Sequence, residues 1–339
     1  MFSGRSLARI CGLSLLLFAG FPVLAQTDLE TAEALFQEGY ILYQKNYSPN
    51  AFAKFKEAAK LGHAEAAYYA GNILRRNSTY ITPEAEEFYR QAADGGDVYA
   101  MLRLAQKGKM CGTLRNCDYD REEWLARAKE IALPKAEAGD LEAMKAVYSI
   151  YRVAGDKNAA WEWIQRAAEG GHAFSQYWVA ILLDEQEMGF YWTESGRRED
   201  MLKWLRASAR QGFPKAMRKL AVKLREQGQF EEGRYWIEKM AGTDYYDALL
   251  EAGGQIMMGP DVAEVMSPDF SYHFKHPSPV EGAALLLALH REKGKDMPMQ
   301  LIESYQDHLT PEIMDEAEER SKELLVNTPI IYYLPKFGM

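Results

Sequence analysis

A chain of 339 residues usually exceeds one globular core, and its formal charge of −9 disfavours nucleic acid and anionic membrane surfaces. The same charge permits a basic or neutral protein partner, and equally serves the solubility of a helical surface. No run alternates as a strand would, and the A/E/K/L/R-rich segments predict high helix content.

The first element is an export signal. Arg5 and Arg9 precede an apolar run over 10–24, and Val23-Leu24-Ala25 forms a small-residue cleavage site before Gln26. The run contains Pro22 and is shorter than the ~20 apolar residues a spanning helix needs. Cleavage after Ala25 would leave a periplasmic protein, and removing 1–25 takes the charge from −9 to −11. Cys11 stands at the head of the apolar run instead of at its end, which makes it a poor lipidation site.

From residue 26 to 252 one pattern recurs. Gly62, Gly96, Gly139, Gly171 and Gly212 stand 34, 43, 32 and 41 residues apart. Each has alanine three residues before it: Ala59, Ala93, Ala136, Ala168 and Ala209. Each has a small residue four after it: Ala66, Ala100, Ala143, Ser175 and Ala216. This interval is the mark of stacked helical units, with each glycine in the left-handed position that ends a helix. The small residues would let two helix backbones approach at the turn. Aromatic amphipathic stretches precede most of the turns: Phe52 and Phe55, Phe88 and Tyr89, Trp161 and Trp163, Trp204, Tyr235 and Trp236. Their register with the turns favours core packing over a sugar-stacking platform.

The combination of an A-A-x-x-G turn, small residues after it and W/Y-x-x-A-A before the next turn resembles Sel-one-like repeats, relatives of the tetratricopeptide repeat. The first unit matches best, with Gly71 where that family has glycine; Ala105, Tyr148, Ala180 and Ala221 stand there in later units. The resemblance implies an all-α fold: a right-handed α-solenoid of about six stacked antiparallel helix pairs, a degenerate last unit at Gly242, and a helical C-terminal cap. It also implies an adaptor that binds protein without chemistry of its own.

Two insertions interrupt the period. The first holds Cys111 and Cys117, which an oxidising compartment would join in a local disulfide worth about 2 kcal/mol; zinc is disfavoured for want of four ligands. The second, 184–200, carries Phe190, Tyr191 and Trp192, three consecutive rings that one helical face cannot bury together. This segment either folds back over a groove or offers the rings to a partner, with Asp184, Glu185 and Glu187 beside them. Arg197 and Arg198, near those acids in sequence, read as part of a solvated charge pattern.

Residues 253–279, rich in Gly, Pro and Met, read as an irregular connection. Residues 280–339 then supply capping helices: one at 280–290, and one headed by Thr310-Pro311-Glu312 as N-cap and first turn. The tail, with Ile330, Ile331, Tyr332, Tyr333 and Leu334, is expected to pack back on the last helices.

No catalytic motif holds. His63 and His172 follow turn glycines, so the repeat explains them, while His273 and His276 lie in the connection. His273 and Lys275 begin an H-x-K-x-x-x-x-D motif, but Val280 stands where the aspartate belongs. The reading is of a non-enzyme without cofactor or metal. An exported array of this size with a proline-rich break and an L-T-P-E terminal helix resembles immunity proteins that neutralise type VI secretion phospholipase D effectors. That resemblance implies occlusion of a toxic lipase. Exported solenoids also resemble assembly lipoproteins of exopolysaccharide secretion, which implies an envelope scaffold as the alternative.

Overall fold

At each of the five glycines the chain ends a helix with the same two hydrogen bonds. The glycine N–H donates to the carbonyl of the alanine three residues back, at 2.9 to 3.1 Å. The next N–H donates to the carbonyl five residues back, for example His63 to Ala58 and Asp140 to Lys135, both at 3.1 Å. This Schellman closure requires a left-handed residue, and the five glycines have φ between +85° and +99°. The residue after each glycine then heads the following helix. His63 Nδ1, Asp97 Oδ1 and Asp140 Oδ1 accept from the backbone N–H of Ala66, Ala100 and Ala143, the small residues of the motif. One residue turns the chain and the next caps the new helix. The five alanines before the glycines and the five small residues after them are all buried.

The computed structural model describes residues 23–78, 81–106, 120–266, 278–332 and Lys336. In order, the helices are α1 (Val23–Gln44), α2 (Ser48–Lys60), α3 (Ala64–Arg76), α4 (Pro83–Asp94), α5 (Val98–Leu104), α6 (Arg121–Glu137), α7 (Leu141–Ala154) and α8 (Lys157–Glu169). They continue with α9 (Ala173–Asp184), α10 (Glu194–Arg210), α11 (Pro214–Glu226), α12 (Phe230–Met240), α13 (Tyr246–Met266), α14 (Pro279–Lys293), α15 (Met297–Ser304) and α16 (Pro311–Ser321). Each helix packs on the one before and the one after through α14, the architecture of an α-solenoid. The odd-numbered helices also touch one another directly, α1 with α3, α5 with α7 and α11 with α13, so their row forms the inner face. Successive corners alternate between the two edges of the array. The glycine corners therefore share one edge, and the connections α5–α6, α9–α10 and α13–α14, where the period stretches, share the other.

One hydrophobic core runs through the array from Phe36 to Ile330. The rings expected in it are present: Phe55, Phe88, Tyr89, Trp163 and Trp236 are buried, Phe52, Trp161 and Trp204 pack partly against it, and Tyr235 is exposed. A second cluster around Met257, Leu286, Ile302 and Tyr305 joins α13 and α14 to the terminal helices.

The chain departs from its sequence reading in four places. The stretch expected to be irregular from 253 is helical to Met266. Glycine on each of the two helices here serves contact: a Cβ on Gly253 of α13 would lie 2.8 Å from Leu286, and one on Gly282 of α14 would run into the Met257 backbone. Glycine thus lets α13 and α14 approach backbone to backbone, and α14 completes a seventh pair instead of opening the cap. The sixth corner lacks the left-handed glycine, for Gly242 donates to Lys239 at 3.2 Å with ordinary backbone angles. The second insertion is shorter than 184–200, since α9 reaches Asp184 and α10 starts at Glu194. The tail also travels further than the last helices. Ile331 bridges Tyr245 in a parallel pairing, Ile331 N–H donates to Asp244 O at 2.8 Å, and Tyr332 N–H donates to Gln44 O at 2.6 Å, back at the first unit.

The two uses of glycine separate experimentally. At Gly139 a Cβ meets nothing within 4 Å, so Gly139→Ala carries only the left-handed strain, about 1–2 kcal/mol. At Gly282 the methyl has no room, and Gly282→Ala is expected to destabilise more, with overpacking of about 1–3 kcal/mol or beyond. Urea unfolding of both variants checks the order.

Candidate partner-binding surfaces

The inner face begins at residues set by the corners. Three residues after the first four glycines stand Glu65, Tyr99, Glu142 and Phe174, on α3, α5, α7 and α9. Together with Phe36, Gln37 and Tyr40 of α1, Tyr69 of α3 and Lys145 of α7, three of these line an open cleft of about 500 Å³, which Lys336 of the tail also borders. Lys336 Nζ lies 2.8 Å from Glu65 Oε1 and 3.0 Å from Asp97 Oδ2. The same ammonium sits over the rings of Tyr68 and Tyr99, at 5.5 and 5.3 Å from their centroids, within cation–π range.

Asp97 is the fixed point of this cluster. Its side chain is 5% exposed, and its Oδ1 is held by the Ala100 N–H at 2.8 Å as the cap of α5. Burial pushes the Asp97 carboxyl up, while Lys336 and the cap bond work to keep it ionised. For Lys336, burial alone would lower the pKa; Asp97 and Glu65 outweigh it and hold the ammonium above its ordinary value.

A second electrostatic step lies one unit further on. Glu142 receives Lys145 Nζ at 2.7 Å and His172 Nε2 at 3.0 Å, and Lys145 lies over Tyr99 and Phe174. His63 meets Glu33 at 3.0 Å in the same way. Both histidines thus join the head of one inner helix to a glutamate of the inner helix before it, as their place after the turn glycine implied.

On the loop edge, residues 185–193 present the three predicted rings unequally. Tyr191 turns inward: its hydroxyl donates to Asp200 Oδ2 at 2.8 Å and Arg197 lies over its ring. Burial, with Asp200 adding to it, pushes the Tyr191 hydroxyl up to about 12. Phe190 and Trp192 turn outward, 79% and 91% exposed, and meet edge to face with centroids 5.2 Å apart. Thr193 caps α10 by accepting from the Gly196 N–H at 3.0 Å, which fixes the far end of the loop. Leaving a ring the size of Phe in water forgoes about 1.5–3 kcal/mol of burial.

The acidic residues assigned beside these rings do not act together. Asp184 is engaged by Lys219 at 2.7 Å and Lys223 at 3.0 Å; burial opposes its ionisation, and the two lysines hold its pKa below the usual carboxylate range. Glu185 and Glu187 are exposed. Arg197 pairs with Glu194 at 3.1 Å, so it does not complement that cluster. Cys111 and Cys117, His273 and His276, and residues 1–22 of the export signal lie outside the described residues. Among the described residues no three His, Cys, Asp or Glu side chains are grouped as metal ligands, and no helix is long and apolar enough to cross a membrane.

Neither Lys336 nor Asp97 was singled out by sequence reasoning. The signal available for the inner face was the position three residues after the glycine, where acid and ring alternate. Lys336 carried none, because only the returning tail places it there.

The corners and helix pairs define an α-helical repeat protein. No family model and no curated protein matches the chain by sequence. Among solved structures, the chain is similar to a protective antigen of uropathogenic Escherichia coli displaying an SLR fold, at 16% identity over 90% of this chain and 69% of the antigen, with a TM-score of 0.33. It is similar to an immunity protein from Pseudomonas aeruginosa at 16% identity over 56% of this chain and 70% of that one, TM-score 0.38. A Sel1 repeat protein from Oxalobacter formigenes gives 23% identity over 62% and 85%, TM-score 0.36.

The step at Glu142 makes a pH prediction. The hydrogen bond from His172 heads the causes that pull its pKa to about 2, with Lys145 assisting against burial. A folded pKa below the ordinary 4.5 gives stability that is present above pH 4.5 and lost as pH falls towards 2. The side chain is 66% exposed, so the size is that of a surface pair, under about 1 kcal/mol. Glu142→Gln is expected to lower stability by that amount at pH 7 and by almost nothing near pH 2. Urea unfolding at the two pH values tests it, and an equal loss at both would contradict the assignment.

Proposed function

We propose that this chain is a non-catalytic periplasmic protein-binding solenoid, an immunity protein that binds and occludes a type VI secretion phospholipase effector. The observation that carries the binding role is the Phe190–Trp192 pair, displayed in water on a loop pinned by Tyr191 and Thr193. Rigid exposed aromatics are favoured anchors, because they bury much surface at low entropy cost. The export signal read at 1–25 supports the compartment, and the L-T-P-E layout at the C-terminus supports the toxin-neutralising branch. Occlusion requires only tight stoichiometric binding across the entrance to the lipase site. Glu185 and Glu187 would supply charge around the rings.

Co-expression of the chain with a phospholipase D effector directed to the periplasm tests this reading. Protection of the cells and a stable complex on size exclusion are expected. Phe190→Ala with Trp192→Ala should weaken that complex at least tenfold, about 1.4 kcal/mol. No protection and no complex would contradict the proposal. Constant co-purification with several envelope proteins from unstressed cells would favour the alternative, a structural scaffold of an envelope assembly.

A further inference from the structure

The cluster around Asp97 is built for one kind of group and is filled by a residue from outside the repeats. Asp97 Oδ1 is committed to the Ala100 N–H, so Oδ2 is the oxygen left to meet a ligand. A carboxylate 5% exposed needs a cation in place, since an uncompensated buried charge is strongly unfavourable. The walls are the faces of Tyr68 and Tyr99, which attract a cation and exclude water. Glu65 closes the ammonium cage from α3, the inner helix before it. The surrounding cleft, about 500 Å³, is far larger than an ammonium of about one water's size (roughly 30 Å³) requires.

We propose that this inner-face pocket is a lysine-binding site for a protein partner, and that Lys336 occupies it in cis as a stand-in. The partner would present a lysine on an extended or loop segment, displace the Lys336 side chain, and gain the same two carboxylates and two rings. The net charge of −9 draws such a basic segment in. This rests on the reading of the chain as a protein binder only for the source of the lysine; the site itself is defined by its four walls. Glu142 and Lys145, already paired with each other, border the cleft and leave the cage around Asp97 as the part that takes a cation.

The test uses the full chain, its Lys336→Ala and Lys336→Met variants, and the fluorescent peptide acetyl-Leu-Pro-Lys-Phe-amide with a Gln-for-Lys control, read by anisotropy. The variants are expected to bind the lysine peptide at least tenfold more tightly than the unmodified chain does, and at least tenfold more tightly than they bind the control. Adding Asp97→Asn to Lys336→Met should abolish that preference. Equal binding of both peptides, no binding to folded variants, or a preference that survives Asp97→Asn would overturn the proposal. If neither Lys336 variant folds by circular dichroism, Lys336 is a structural latch and the proposal falls. No lipase is present in the assay, so a lysine site without toxin protection sinks only the immunity reading. Protection by a chain that ignores the peptide sinks only this one.

Discussion

Everything in this molecule depends on five residues held at positive φ. A left-handed glycine lets the helix end in a Schellman closure and releases the chain, within one residue, into the next helix. With alanine before that corner and alanine or serine after it, the two helices meet with their backbones close. A β-branched or large residue at the glycine would strain the backbone; one at the flanking alanines would wedge the units apart. Because the corner repeats, so does the angle between units, and the inner helices line up as one face.

That face is where the chain's charge has structural meaning. The N-cap position that follows each glycine is polar or charged in four of the five corners; His63 and His172 pair with a glutamate of the adjacent inner helix, and Asp97 pairs with the tail. His63 with Glu33, Asp97 with Lys336 and Glu142 with His172 are steps of one electrostatic ladder. The middle step differs because its cation comes from the far end of the chain. The tail that delivers it also hydrogen-bonds the corners of the first and sixth units, so the end of the array is returned to its beginning.

The periodic part of this fold was legible in the sequence because glycine and alanine at fixed spacing have one physical purpose each. The same residues misled where their purpose changed. Gly253 suggested irregular chain, yet in the last pair it serves close contact with α14, and local composition does not distinguish the two uses. Of the candidate contact residues, the three aromatics were legible as a group, but which of them points outward follows from the Tyr191–Asp200 bond across nine residues. Asp184 read as a contact residue beside the rings because its partners Lys219 and Lys223 belong to the next unit. The Asp97 pocket could not be read at all, since the cation that fills it, Lys336, comes from more than two hundred positions away.

The helical array is closed by a tail that returns to its first and sixth units. Hydrogen exchange at the amides of Ile331 and Tyr332 tests it most directly, because these donate to Asp244 and Gln44 only if the tail is docked. Exchange at least a hundredfold slower than in a free peptide of the same sequence is expected. Exchange at the free-peptide rate, in a chain whose helices are otherwise protected, would contradict it.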